Sequence, residues 1–133
     1  MYILGVSDHV MIAHSLAGLF FGPAQRLHGA TYAVDVELRC TELGPHQVVM
    51  DIGALRALLR EVLAPLDYQN LDENPAFPGR TSTTERVAAH IADQLAERLV
   101  AGPNEARPPA GATLRVLLRE SPVAYAAYER ELH

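Results

Sequence analysis

Only one of the 133 residues is a cysteine, Cys40, so no disulfide can close within the chain. That agrees with a reducing compartment, and a cytoplasmic protein is expected. Clustered positive charge is missing too: eleven Lys+Arg residues stand singly against sixteen Asp+Glu, for a formal charge of −5. A phosphate backbone would find no basic stripe to follow, and nucleic acid is not an expected partner. Nor is there an apolar run long enough to cross a bilayer, and the opening Met1-Tyr2-Ile3-Leu4-Gly5-Val6 has no basic flank of the kind a targeting leader carries. No membrane partner is expected. Long polar tracts are absent as well, and 49% hydrophobic with 20% charged residues is ordinary for a globular protein. Residues 1–133 are therefore read as a single domain, small enough for oligomerisation to be a natural supplement to its core.

What the chain does contain is organised around Arg26-Leu27-His28-Gly29-Ala30-Thr31-Tyr32, a His-Gly turn that runs into alternating sequence. Tyr32, Val34, Val36, Leu38 and Cys40 share one parity, with Asp35, Glu37 and Arg39 on the other, which predicts a half-buried strand with Cys40 as a small buried thiol. Tyr2 to about Ala13 predicts an earlier strand ending at His14. Two imidazoles, His14 and His28, would then share one site, a partial metal or proton-transfer constellation. Between them, Ser15 to Gln25 carries Gly18, Gly22 and Pro23 around Leu19-Phe20-Phe21 and predicts a loop that covers a core edge, a subunit contact or a ligand pocket.

Glu42 to Gln47 predicts a turn, after which Val48 to Asp51 would return as a short extended arm of a hairpin. Ile52, Leu55, Leu58, Leu59, Val62, Leu63 and Leu66 recur at three and four, predicting a helix over 52–66 capped by Asp51. Asp67 to Arg80 predicts a connecting loop. Ser82 with Glu85 forms the pattern of a capping box, so a second helix is expected from there to about Val100, with Val87, Ile91, Leu95 and Leu99 inward and His90 solvated or packed. Gly102 to Gly111 predicts an exposed loop. Leu114, Val116 and Leu118 alternate with Arg115 and Arg119, and Glu120 continues the apolar parity. A last strand is expected over 123–132, with a terminal helix as the alternative. Strand, strand, helix, helix, strand, strand implies an α+β fold: an antiparallel four-stranded sheet with both helices on one face.

Taken together, Ala13-His14, Leu27-His28-Gly29 with Thr31-Tyr32, Met50-Asp51-Ile52, Leu66-Asp67 with Asn70-Leu71, Thr84-Glu85 and Arg119-Glu120 resemble, in this order and spacing, the 6-pyruvoyltetrahydropterin synthase and 6-carboxytetrahydropterin synthase family. The resemblance covers nearly the whole chain. It implies the tunnelling fold, with homo-oligomers, hexamers or other multimers, whose sheets join around a barrel, and a small-molecule substrate. It also implies a zinc ion on three histidines, a cysteine with an Asp-His pair for proton transfer, and a late glutamate that anchors a pterin ring. His14 and His28 match two ligand positions, Asp67 and Glu120 match theirs, but Ala30 stands for the third histidine, Ala24 for the cysteine and Tyr68 for the histidine after Asp67.

Two histidines hold zinc weakly unless another group, such as His9, His46 or a carboxylate, joins them, so no tight zinc site and no other cofactor are expected. The resemblance then implies a diverged enzyme of lyase, cyclase or isomerase type acting on a small heterocyclic or carbonyl-containing metabolite. His28, His14, Tyr68 and Asp67 would carry metal-independent acid–base chemistry, and Glu120, Arg26, Gln25 and Phe20 would bind substrate. Set against it are interior hydrogen-bonded histidines, a Glu120 paired with a nearby arginine, and a Tyr68 that merely packs. Two other readings stand beside the enzyme: a non-catalytic ligand-binding or assembly protein, and the parent synthase with a rebuilt zinc site.

Overall fold

The computed structural model describes residues 1–132, the Glu105 side chain aside. Alternation dictates the longest elements: β1 (Tyr2–His14) and β2 (His28–Cys40) are thirteen residues each and pair antiparallel from Tyr2↔Cys40 to His14↔His28. On β2 the residues of one parity, Tyr32 to Cys40, are all buried. They form the floor of the core, as their periodicity predicts. After β2 come α1 (Ile52–Leu63), a two-residue strand β3 (Gln69–Asn70), α2 (Thr84–Ala101), β4 (Thr113–Ser121) and β5 (Ala124–Glu131).

The sheet has five strands in the order β3-β1-β2-β4-β5. The expected four antiparallel strands are present, and β3 adds a parallel pairing at the free edge of β1, Ile12↔Gln69 and Ala13↔Asn70. Val48 to Asp51 makes no strand. Both edges of β2 are already taken, by β1 and β4, so this arm cannot return along β2 as a hairpin. Val49 and Met50 are buried in a bend instead. The stretch Leu19–Gln25, expected as loop, winds into 3-10 turns.

Both helices lie on one face and share one apolar cluster with the sheet, Leu55, Leu59 and Leu63 from α1, Val87, Ile91 and Leu95 from α2, and Val34, Val36, Leu114 and Leu118 below them. Burying such side chains fully contributes roughly 1.5–3 kcal/mol each against exposure. The opposite face of the sheet carries ion pairs instead: Arg115 reaches Glu37 at 3.8 Å and Glu129 at 3.4 Å, and Arg39 lies 3.6 Å from Glu37.

Helix entry decides where the site's hydroxyls point. Asp51 caps α1 as expected, accepting from the Ala54 amide at 2.8 Å. At α2 the cap is Thr83, which accepts from Arg86 at 3.3 Å, and the Ser82/Glu85 box does not form. Shifting the cap by one residue frees Ser82 and Thr84 for other partners, and both are buried.

Candidate functional site

Strand pairing brings the two histidines together. His14 closes β1 and His28 opens β2 directly opposite it, both on the helix-covered face. Cross-strand neighbours on one face sit close enough to touch, and the two rings meet edge to face with centroids 4.6 Å apart. His14 Nδ1 lies 2.8 Å from the Ser82 carbonyl and 3.0 Å from its Oγ, while His28 Nδ1 lies 2.7 Å from the Arg26 carbonyl. A carbonyl only accepts, so both Nδ1 atoms donate, and in the neutral rings both Nε2 atoms carry lone pairs. Two bare bases therefore stand side by side.

His14 is 4% exposed, and that burial pushes its pKa below the ordinary value of 6.5. The Ser82 carbonyl bond and the charges of Asp72 and Glu120 oppose the shift, and His28 adds to it. Its strand end is anchored next door: the Ser15 amide and hydroxyl donate to Asp72 at 2.9 and 2.6 Å, and Arg80 donates to the same hydroxyl at 3.3 Å. Burial alone would raise the Asp72 pKa, but the Ser15 hydrogen bonds and the neighbouring His14 and Arg80 hold it below the usual carboxylate value.

Opposite the histidines, Glu120 stands at the end of β4 and accepts a hydrogen bond from the Thr84 hydroxyl. The Tyr32 hydroxyl, 3.5 Å from Thr84 Oγ1, then donates inward, giving a chain from Tyr32 through Thr84 to Glu120. Burial raises the Tyr32 pKa, opposed by the Thr84 bond and reinforced by the charges of Glu120 and Glu85, so the phenol stays protonated. His14, His28, Phe20, Phe21, Thr84 and Glu120 all face one cavity of about 720 Å³, which Ala24 and Ala30 also line. That volume suits a small molecule.

Four expected site residues do not line this cavity. Asp67 accepts from the Met11 amide at 2.9 Å and from Arg60 at 3.3 Å, at the outer edge of β1. Tyr68, at φ 59° in the left-handed region, donates its amide to the Met11 carbonyl and leaves its ring 78% exposed. Both contacts are to the Met11 backbone, so this pair sits at the free edge of β1, away from the cavity that the imidazoles line. Gln25 turns its amide onto the Gly22 carbonyl at 3.1 Å, and Arg26 offers the site only its carbonyl. Of the substrate-binding set, Phe20 and Glu120 are the two that reach the cavity. Thr84, Tyr32 and Ser82 belong to the site without having been singled out for it. For Ser82 and Thr84 the signal was the hydroxyl run Ser82-Thr83-Thr84, of which a helix start uses one as cap.

Among the described residues, no group of three or more His, Cys, Asp or Glu converges as metal ligands. His9 is exposed beside Asp8, and His46 lines a different cavity. Two imidazoles beside two alanine methyls do not fit a catalytic zinc, which takes three protein ligands and a water.

His14 and His90 make stability depend on pH. Burial lowers the pKa of each, whereas the unfolded chain binds both protons near 6.5. The unfolded state then holds more protons below that value, so stability is complete above pH 6.5 and falls as pH drops beneath it. Urea midpoints measured from pH 7.5 down to 5 are expected to decline, and His90→Gln should flatten part of the slope.

A largely antiparallel sheet with both helices on one face, in this element order, is the architecture of the tunnelling-fold proteins. The solved Caenorhabditis elegans 6-pyruvoyl tetrahydropterin synthase superposes with a TM-score of 0.78 at 25% identity, covering 97% of this chain and 95% of that one. Residues 4–131 match the family described as 6-pyruvoyl tetrahydropterin synthase, and the chain belongs to that family. A putative 6-carboxy-5,6,7,8-tetrahydropterin synthase of Archaeoglobus fulgidus is 30% identical over 96 residues, 72% of this chain and 77% of that protein. The 6-pyruvoyl tetrahydrobiopterin synthase of Poecilia reticulata is 39% identical over 76 residues, 56% of this chain, and the match spans about half, 52%, of that relative's length.

Proposed function

We propose that this chain is a diverged member of its synthase family that performs metal-independent acid–base chemistry on a small heterocyclic or carbonyl-containing metabolite. The observation that carries the reading is the pair of Nε2 lone pairs, fixed by Nδ1 donation to Ser82 and Arg26, facing Glu120 across one cavity. A neutral His14 at pH 7 is ready to accept a proton from the substrate, and the neighbouring His28 Nε2 is placed to receive that proton from His14 and deliver it back to the substrate. Glu120 offers a carboxylate to an amidine-like or cationic edge of the substrate, with Thr84 holding it in place. Phe20 and Phe21 supply flat apolar cover. In this reading proton abstraction beside a carbonyl, followed by reprotonation, is the reaction type.

The working form in this proposal is a homo-oligomer. Asp67 and the exposed Tyr68 ring sit on the outer edge of the sheet, where they would serve a neighbouring subunit's cavity. The ion-paired outer sheet face would then line a barrel.

Alanine at both 24 and 30 also favours a second reading, a binding protein that retains the pocket without turnover. One experiment separates the readings. Purified protein, washed with chelator, is assayed for zinc and then screened against pterins and other small metabolites. Zinc well below one per chain together with product formation is the expected result. Pterin binding with no product throughout the screen would leave the binding protein, and one zinc per chain surviving the wash would restore the zinc enzyme.

A further inference from the structure

The cavity between the histidines and Glu120 has a polarity that selects among ligands. Its lining carries two carboxylates, Glu120 and Glu85, and among the described residues no arginine lines it. The sequence contains no lysine, so all eleven basic residues are arginines. We propose that the site takes a neutral or cationic nitrogen heterocycle rich in N–H donors, free of phosphate and carboxylate groups, and that it discriminates against anions. This rests on the reading above in which Glu120 faces the substrate.

Hydrogen-bond direction comes first. Tyr32 donates to Thr84 and Thr84 to Glu120, while both Nδ1 atoms donate to carbonyls of Ser82 and Arg26, residues that do not line the cavity. What is left for a ligand is the remaining carboxylate lone pairs of Glu120 and the two Nε2 lone pairs. Thr31 and Thr83 offer hydroxyl donors on the lining, and neither is charged. A ligand made of acceptors would leave the carboxylate and the imidazoles unpaired, whereas one with several N–H groups satisfies them.

Charge points the same way, with one opposing feature. The α2 helix begins on the lining at Thr84, and a helix N-terminus carries roughly half a positive charge. Two carboxylates outweigh it, and Thr83 already takes the Arg86 amide of the first turn. Of the arginines near the site in sequence, Arg80 donates to the Ser15 hydroxyl at 3.3 Å and Arg119 lies 4.9 Å from the centre of the Tyr125 ring. Arg26 and Arg86 are exposed and off the lining. A neighbouring subunit that offers the outer edge of β1 would bring Asp8 and Asp67, with Arg60 bridged to both at 3.3 Å. That edge adds two acids for one base, so assembly through it reinforces the negative potential.

The aromatic cover adds to the preference. Phe20 and Phe21 both line the cavity, edge to face with centroids 5.2 Å apart. The face of such a ring attracts a cation and repels an anion.

The test uses three probes of one shape and different charge, benzamidine, benzamide and benzoate, in titrations of the full chain followed by backbone amide shifts. Benzamidine is expected to bind saturably, with shifts concentrated at residues 28–32, 83–85 and 120. Benzamide should bind there more weakly, and benzoate should not shift these residues. Glu120→Gln should weaken benzamidine roughly tenfold, the worth of one charge-assisted hydrogen bond, and change benzamide little. Glu85→Gln should have the same sign and a smaller size, because Glu85 is exposed, and Glu97→Gln, at an exposed acid farther along α2, should alter neither probe. Melting curves of each variant show that the fold is kept, and the three probes on the unsubstituted chain test the preference without any variant. The proposal is overturned if benzoate shifts the cavity residues as strongly as benzamidine, if benzamidine shifts none of them saturably, or if a folded Glu120→Gln keeps the full preference for benzamidine over benzamide. Benzamidine binding without turnover of any metabolite would leave this proposal standing and remove the chemistry. Turnover of an anionic metabolite would do the reverse.

Discussion

His28→Ala is expected to lower turnover roughly 10²- to 10⁴-fold on the substrate that a metabolite screen identifies, the range that a positioned proton-transfer group contributes. The loss should appear in kcat with the fold intact, because His28 is only partly buried and its ring makes one hydrogen bond, to the Arg26 carbonyl. Glu120→Gln should behave differently. The amide keeps the shape but not the charge, so an anchoring carboxylate predicts a higher KM with a smaller change in kcat. His14→Ala would be a poorer probe, since it removes a buried ring bonded to Ser82 and would combine lost chemistry with lost stability. Steady-state rates for His28→Ala and Glu120→Gln, with melting curves beside them, decide the matter. Unchanged turnover in both would remove the basis for an enzyme at this site.

The largest stability effect is expected away from the cavity, at Phe77. Its ring is 1% exposed and meets His90 of α2 edge to face, with centroids 5.2 Å apart. Phe77→Ala should cost about 3–5 kcal/mol through lost transfer energy and the void left behind. Against a typical total of roughly 5–15 kcal/mol, that approaches the whole stability of a small domain. The midpoint of urea unfolding should fall accordingly at an unchanged slope. A loss under about 1 kcal/mol would show that the segment from Asn74 to Arg80 is not pinned to the core. Pinning matters for the site, because this segment leads into Ser82, whose carbonyl orients His14.

That loop shows where sequence reasoning stops. Proline, glycine, Asp and Asn identify residues 67–80 as connecting chain, and composition is silent on Leu71 and Phe77 being buried in the core. Alternation identified β2 and β4 and placed Glu120 on the covered parity, because a side-chain period of two leaves one register for a half-buried strand. The recurrence at three and four identified α1 and α2 for the equivalent reason in helices. A two-residue parallel strand such as β3 has no period to detect, and it exists only because β1 offers a free edge beside it. Val48-Val49-Met50 misled in the opposite way. A short apolar run has no period to tell a strand from a buried bend, and β2, the partner a hairpin needs, has both edges taken.

At the site the division is similar. Residue identity by itself determined which groups are available: two imidazoles, a late carboxylate, and alanine where the family's thiol and third histidine would stand. Tertiary structure decided which of them meet. Ladder register set His14 against His28, and a cap one residue later than expected turned Ser82 and Thr84 inward to His14 and Glu120. Asp67 and Tyr68 were left at the outer edge of β1, outside the cavity. Periodicity is a local property that a sequence carries in full, whereas convergence depends on how edges pair and how helices enter, and those are settled only when the whole core closes.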